Sequence, residues 1–423
     1  GVFIAEIVDD QTFIAASTNA ASENVVEYNL YYASAAGGPW SLVQSSALPE
    51  FTVKTPTTSA TAYYKFTAAS AHAEGPASAV ISINGLEGQM EHATVFQGMS
   101  VALESTPGAL PATPKWFKLL SLIAEIKPKF SQKTFRPRGV KGATSKTRGK
   151  EYTEISLSGN ATYDELPFFL TSVLNTATGA TYGTSTIVKQ WTIQSSAEAK
   201  DTPNTYCVQL GDVDDPLQVS CCAVTDFSLK VEEDKVSYTA TMIGWVINDS
   251  PATLATGVTE LPQFEITSDV VGVLYGATFG SMALLSHLNT FEVDIKNHWK
   301  PAFFRNPAVP SFSGLVEQAP EITFKLNVEQ DTDAATLLTA ARNNLGVGFL
   351  GLSSTGPLIE TGTAPLGANS VYGFSWTWAA MFTNHPGRGD KSGVWSSDFE
   401  AELAHNQTYG TGQVVIVNQL AAV

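Results

Sequence analysis

A weak internal repeat constrains this chain more than any other feature. When residues 115–250 are laid over 280–420, Leu119-Leu120-Ser121 falls on Leu284-Leu285-Ser286, and Glu125-Ile126-Lys127 on Asp294-Ile295-Lys296. Phe135-Arg136 meets Phe304-Arg305, each followed within two residues by proline, and Glu154-Ile155-Ser156-Leu157 meets Glu321-Ile322-Thr323-Phe324. Asp164-Glu165-Leu166 and Asp333-Ala334-Ala335 each open a short helix, while Asp226-Phe227 and Asp398-Phe399 each head a strand. The offsets drift between about 165 and 172, as loop insertions would make them. Each copy reads as strands, a long loop, a strand, one helix and a closing hairpin.

Side-chain periodicity fills in that outline. Leu166, Phe169, Leu170, Val173 and Leu174 make one apolar stripe at helical spacing, with Asp164 as the expected cap and Pro167 in the first turn. Asp331 or Asp333 caps the second helix, with Leu337, Leu338 and Ala341 facing inward. Phe227, Leu229 and Val231 alternate with Asp226, Ser228, Lys230 and Glu232. Phe399, Ala401 and Leu403 alternate with Asp398, Glu400 and Glu402. One face of each strand therefore belongs to a core and the other to water.

Residues 1–85 have a different character. Short strands are expected at Gln11–Ser17, Val25–Ser34, Trp40–Ser45, Phe51–Lys54, Tyr63–Ala69 and Ala77–Ile83, with turns at Gly37-Gly38-Pro39 and Glu74-Gly75-Pro76. That density of strands predicts a β-sandwich. Tyr28-Asn29-Leu30-Tyr31-Tyr32, then Gly38-Pro39-Trp40, then Ala62-Tyr63-Tyr64-Lys65-Phe66 resemble a fibronectin type III or related immunoglobulin-like module. The usual tryptophan of the second strand is missing, and Phe13 or Ile14 stands in its place. Gly85–Ser100 reads as the junction to the repeated part.

Composition narrows the function. Of 423 residues 43% are apolar, which excludes a disordered chain, and only 15% are charged, with a net charge of −16 that argues against a surface built to grip nucleic acid throughout. Three cysteines, Cys207, Cys221 and Cys222, form no disulfide framework, and adjacency puts the last two on opposite faces of a strand as ordinary half-buried residues. The six histidines are scattered with no metal-binding spacing, and no nucleophile elbow, Walker loop or dinucleotide fingerprint occurs, so neither metal, cofactor nor enzymatic activity is expected. The opening residues lack the pattern of a secretory signal. Val270 to Phe291 is free of charge with glycines at GxxxG spacing, but its Ser, Thr, His and Asn residues favour glycine-rich strands over a spanning helix. Arg388-Gly389-Asp390 reads as a hairpin loop. The sequons at Asn160 and Asn406 matter only in a secreted protein.

The charge is unevenly placed. Lys127, Lys129, Lys133, Arg136, Arg138, Lys141, Lys146, Arg148 and Lys150 are nine of the 24 basic residues, packed into 24 positions without one acid. Gly139, Gly142 and Gly149 make the segment look extended and mobile. Nine unopposed charges need an acidic neighbour, either phosphate or the carboxylates of another subunit. Nucleic-acid readers interleave aromatics, and only Phe130 and Phe135 occur here, so contact with another copy of this acidic chain is the favoured reading.

Gly98-Met99-Ser100-Val101-Ala102-Leu103-Glu104-Ser105-Thr106-Pro107-Gly108 leads into Pro114-Lys115-Trp116. Phe135-Arg136-Pro137 then precedes the basic loop, followed by Glu151–Leu157 and by Tyr163-Asp164-Glu165-Leu166-Pro167 at the helix. This order of elements is similar to the tail tube proteins of long-tailed bacteriophages, well over about 96–250 and more weakly in the second copy. The resemblance implies a mainly β architecture: a fibronectin III/Ig-like decoration domain at 1–88, then tail-tube-like sandwich or split-barrel domains at 89–255 and 256–423, each with one short helix. It also implies a virion tail protein, assembled in the host cytoplasm, that stacks as rings into a conduit for DNA. A doubled chain needs three copies for six tube domains, hence a homotrimer with pseudo-sixfold symmetry, and a contractile sheath would clash with the outward first domain, hence a non-contractile tail. Lys133, Arg136, Arg138, Lys141, Lys146, Arg148 and Lys150 would then reach the neighbouring ring. Asp226, Asp398, Glu400 and Glu402 would line a lumen that repels phosphate, so that genomic DNA passes without specific binding. Other tail proteins would meet the tube ends, and the first domain would face outward, toward host surface polysaccharide if toward any ligand. A surface adhesin carrying a sugar-binding β-sandwich is the competing reading.

Overall fold

The computed structural model describes residues 3–9, 12–17, 27–47, 50–54, 62–70, 77, 81–83, 98–196, 198–211, 216–248, 254–304, 311–342, 347–384, 386–391 and 393–421. The chain is mainly β and divides into two compact units, Gly1–Thr94 and Val95–Val423. The turn at Glu74-Gly75-Pro76, the side chains of Phe13 and Ile14, most of the junction at 85–100 and Arg305 lie outside the described residues.

The first unit is a β-sandwich, and its described residues form seven strands: β1 Phe3–Asp9, β2 Thr12–Ser17, β3 Glu27–Ala33, β4 Ser41–Ser46, β5 Glu50–Lys54, β6 Ala62–Ala69 and β7 Ile81–Ile83. They form a three-stranded sheet in the order β1-β2-β5 and a four-stranded sheet in the order β4-β3-β6-β7. β1 was not among the strands expected from sequence. Tyr28, Leu30, Ala33 and Tyr64 are buried along the paired strands β3 and β6.

The second unit contains both repeats. The first supplies β8 Gly98–Leu103, β9 Trp116–Leu119, β10 Leu122–Phe135, β11 Ser145–Asn160, α1 Leu166–Val173, β12 Ala180–Thr181, β13 Lys189–Ile193, β14 Tyr206–Gly211, β15 Leu217–Val231 and β16 Val236–Gly244. A short β17 at Thr259–Glu260 leads to the second repeat. That repeat runs β18 Val271–Gly276, β19 Ala283–Leu284, β20 Leu288–Lys296, β21 Trp299–Ala302, β22 Gly314–Glu317, β23 Glu321–Glu329 and α2 Thr332–Arg342. It ends with β24 Gly348–Glu360, β25 Ser370–Phe382, β26 Gly389–Lys391, β27 Val394–Leu403 and β28 Gly412–Asn418.

Strand pairing follows a common order in the two halves of this unit. In the first repeat β10, β11, β16 and β15 lie side by side, all antiparallel; in the second, β20, β23, β27 and the end of β25 do the same. The other layer repeats too, β8-β14-β15 against β18-β24-β25. β15 pairs with β14 early and β16 late, so one long strand serves both layers, and β25 does likewise with β24 and β27.

The two quartets join edge to edge where β15 meets β20, with Phe227 opposite Ile295, Ser228 opposite Asp294 and Val231 opposite Phe291. β13 and β28 pair as a second link. This topology corrects one sequence equivalence. Asp398-Phe399 lies on β27, the counterpart of β16, so Asp226-Phe227 on β15 has no equivalent there. A period-two Asp-Phe pattern is common to every strand that shares one core, and so aligns several of them equally well.

One apolar core runs through both repeats, with Phe227 stacked against Trp376 at a ring separation of 6.3 Å. α1 is buried on every side rather than along one stripe, as expected for a helix that is apolar all round. Asp164 does not cap it. Thr162 Oγ1 accepts the Glu165 N–H at 3.2 Å, and Asp164 is buried with Oδ2 lacking a partner. Glu165 instead turns back, accepting the N–H groups of Leu120 and Ser121 at 2.8 and 3.1 Å. α2 follows expectation: Asp331 Oδ1 accepts the N–H groups of Asp333 and Ala334, and Leu337 and Ala341 are buried.

Cys221 and Cys222 are both fully buried instead of half-buried. Cys221 takes a left-handed φ of 56°, which breaks the alternation, and its N–H is held by the buried Glu104 carboxylate at 2.8 Å. Residues 271–276 and 283–284 are strands, and no helix among the described residues is long and apolar enough to cross a membrane.

Candidate functional site

Because the side chains of a strand alternate, burying Ile155, Leu157, Phe227, Leu229, Val293, Ile295, Phe324, Leu326 and Phe399 sends their neighbours to one shared polar face. Across the joined quartets that face carries Glu125, Glu154, Asp226, Glu292, Asp294, Glu321, Asp398, Glu400 and Glu402 against Lys127, Lys129, Lys230, Lys296 and Lys325. The structure thus brings all four expected carboxylates, Asp226, Asp398, Glu400 and Glu402, to the same side of one continuous sheet.

Local pairing sharpens the acidity. Lys127 lies 2.6 Å from Glu125, Lys129 3.0 Å from Glu154, Lys230 2.6 Å from Glu232 and Lys296 3.3 Å from Asp294. Lys325 bridges Glu292 at 3.4 Å and Asp294 at 3.2 Å. Every lysine on the face is therefore neutralised by a neighbour. Among the described residues, Asp226, Asp398, Glu400 and Glu402 have no lysine or arginine partner. Asp398 accepts a hydrogen bond from Asn327 at 2.6 Å, and Asp226 one from Thr225 at 2.8 Å.

The sequence reading missed Asp294 as a site residue. It is buried at the seam between the repeats. Burial opposes its ionisation, but the Ser228 hydroxyl, Lys325 and Lys296 outweigh this and hold its carboxyl below the ordinary range. The pattern Asp294-Ile295-Lys296 was visible; that the strand lies at an internal seam was not.

The basic segment is not a loop. β10 and β11 pair from Leu122–Gly159 out to Phe135–Ser145, with one bulge near Gln132, and only residues 136–144 connect them. β16 stops accompanying β11 at Thr153, so among the described residues no other strand lies beside the outer hairpin. At about 3.4 Å per residue it extends for roughly 25 Å. Lys133 is on β10, Lys146, Arg148 and Lys150 are on β11, and Arg136, Arg138 and Lys141 are on the connection. Thr134, Phe135, Ser145 and Thr147 supply the strand-forming residues that the lysines and glycines obscured.

Lys133, Arg136, Arg138, Lys141 and Lys146 are exposed, with no acidic partner among the described residues. The Arg148 side chain lies outside those residues, and Lys150 Nζ is 3.5 Å from the Ser311 carbonyl of the second repeat. Phe135 and Val140 are 61% and 50% exposed on the same arm. The counterpart arm, β21–β22, is short and carries exposed Phe303 and Phe304. Phe303, just past the end of β21, packs on Tyr152 at 5.9 Å, so the two arms touch.

The chain matches no known protein-family model, and no curated protein matches it at a significant level.

Proposed function

We propose that this protein is a structural subunit that closes into rings and stacks into a tube, the tail tube of a long-tailed bacteriophage. The observation that carries this reading is the β15–β20 seam. One quartet of strands already continues into a similarly ordered quartet by edge pairing within the chain. The free edges at the two ends are equivalent to the pair that meets at the seam: β10 corresponds to β20, and the end of β25 with β26 corresponds to β15. Repeating the seam between chains adds quartets until the sheet closes.

An unclosed edge of this length invites pairing. β10 has 14 residues, pairs on one side only among the described residues, and exposes 77% of Ile123. Three chains would contribute six quartets and a pseudo-sixfold ring. Around 24 strands at about 4.8 Å spacing give a circumference near 115 Å before tilt widens it, a lumen on the scale of a DNA duplex. With the polar face inward, unpaired carboxylates would meet phosphate and repel it. The basic arm, projecting from the strand end with exposed Phe135 and Val140, is suited to the acidic rim of the next ring.

The first unit would decorate the outside. Its partition into β1-β2-β5 and β4-β3-β6-β7 supports a fibronectin type III-like module. Electron microscopy of the purified chain under assembly-promoting conditions tests the proposal. Stacked rings or tubes are expected, and a monodisperse monomer would overturn it.

A further inference from the structure

The strongest unassigned site lies inside the second unit, where His298, Asp201 and Glu317 converge. Asp201 and His298 are fully buried and Glu317 is one-quarter exposed. Asp201 belongs to the first repeat, and His298 and Glu317 flank the base of the β21–β22 arm of the second. His298 Nδ1 lies 2.6 Å from the carbonyl of Val173 at the end of α1. A carbonyl only accepts, so Nδ1 carries the proton and donates it. Trp299 Nε1 donates to the same carbonyl at 3.1 Å, and its ring stacks on the imidazole at 4.5 Å. The ring is therefore fixed in both tautomer and orientation.

That leaves Nε2 aimed at two carboxylates. It is buried without a hydrogen-bond partner, 3.7 Å from Asp201 Oδ2 and 3.7 Å from Glu317 Oε1. Both distances are too long for a hydrogen bond from an imidazolium. They are close to the spacing of about 3.4 Å between donors that each sit 2.0–2.1 Å from one tetrahedral cation. The three ligand atoms all lie within 4.8 Å of one another.

The carboxylates are pre-oriented as well. Asp201 Oδ1 accepts the Ser196 N–H at 2.8 Å and Oδ2 the Ser195 hydroxyl at 2.6 Å; Glu317 Oε2 accepts the Asp201 N–H at 3.1 Å. A histidine whose far nitrogen donates to a backbone carbonyl, beside carboxylates steadied by their own hydrogen bonds, is the outer-shell arrangement typical of metal ligands.

We infer that Asp201, His298 and Glu317 bind one divalent transition-metal cation of the Zn²⁺ class. Imidazole nitrogen with carboxylate oxygen selects such an ion over Mg²⁺ or Ca²⁺. The cation ties the 195–201 segment and α1 of the first repeat to the arm of the second. It enters from the side of Glu317, the only ligand reached by solvent. The site is independent of the tube proposal, because it lies within one chain.

Equilibrium dialysis of the full-length protein against Zn²⁺, followed by elemental analysis, tests it. One equivalent per chain is expected, with at least tenfold weaker retention in Glu317→Gln and near-complete loss in His298→Gln. Co²⁺ in place of Zn²⁺ gives visible absorption bands that Glu317→Gln shifts or abolishes. Circular dichroism identifies folded variants, and Glu317→Gln, at the partly exposed ligand, serves if His298→Gln fails to fold. Folded wild type that retains no Zn²⁺ at 100 µM, or retention unchanged in Glu317→Gln, would overturn the inference.

Discussion

The carboxylate of Asp294 holds the ammonium of Lys325 at 3.2 Å on the strand that joins the two repeats. Asp294 is nearly inaccessible, whereas Lys325 is about half exposed. The pair thus neutralises a buried charge at the β15–β20 seam, where Ser228 completes the shell.

Lys325→Met should leave that charge with Lys296 as its remaining cationic partner, 3.3 Å away. The cost is about 1–2 kcal/mol at pH 7, below the 3–5 kcal/mol of a fully buried pair because Lys325 is partly solvated. The folded pKa of Asp294 is depressed, so its stabilising contribution is present above the ordinary carboxylate range and lost as pH falls through the folded value. Urea unfolding at pH 7 and at pH 3 should show the variant's deficit shrinking with acid. An equal deficit at both pH values would contradict the assignment.

Asp164 behaves in the opposite sense. Burial, then the charge of Glu165, pushes its carboxyl up to about 7. Between about pH 4 and 7 the folded chain holds a proton that the unfolded chain has lost, so stability from this group falls as pH rises through that window. Asp164→Asn should therefore gain about 2–4 kcal/mol at pH 8 and little at pH 4, read from thermal unfolding across pH. No gain at pH 8 would show that Asp164 has a partner the fold does not reveal.

The exposed basic arm should carry ring-to-ring adhesion. Replacing Arg136, Arg138, Lys141 and Lys146 with Ser should shorten assembled polymers while leaving single-chain unfolding within about 0.5 kcal/mol, because these residues are exposed and make no ion pair among the described residues. The wild-type assembly should also weaken as salt rises past the point where the Debye length falls below about 8 Å. Sedimentation of polymer against ionic strength measures both.

The unpaired edge of β10 gives a separate handle. Ile123→Lys with Glu125→Lys would line one face of that edge with lysines at 123, 125, 127 and 129. Natural sheets use this device to block edge pairing. Rings should fail to close while circular dichroism stays unchanged; intact rings would place the subunit contact elsewhere.

Much of this architecture was legible from periodicity. Phe227, Leu229 and Val231 alternate with Asp226, Ser228 and Lys230 in the chain and in the sheet alike, and Asp331 caps α2 as its position promised. What failed depended on tertiary context. Asp164 resembled a cap until Thr162 and the back-turned Glu165 took over the helix start. Lys146 and Arg148 looked like loop residues because cross-strand pairing with Thr134 and Gln132 is not encoded locally. The trio of Asp201, His298 and Glu317 has no motif spacing at all; only the packing of one repeat on the other brings it together.

The seam inside the chain should be repeated between chains. The mass of the smallest closed ring tests it most directly. Three 45.0 kDa chains, about 135 kDa, with six similar lobes around the axis in end-on micrographs, are expected. A closed ring of six chains, or a particle with no closed ring, would contradict it.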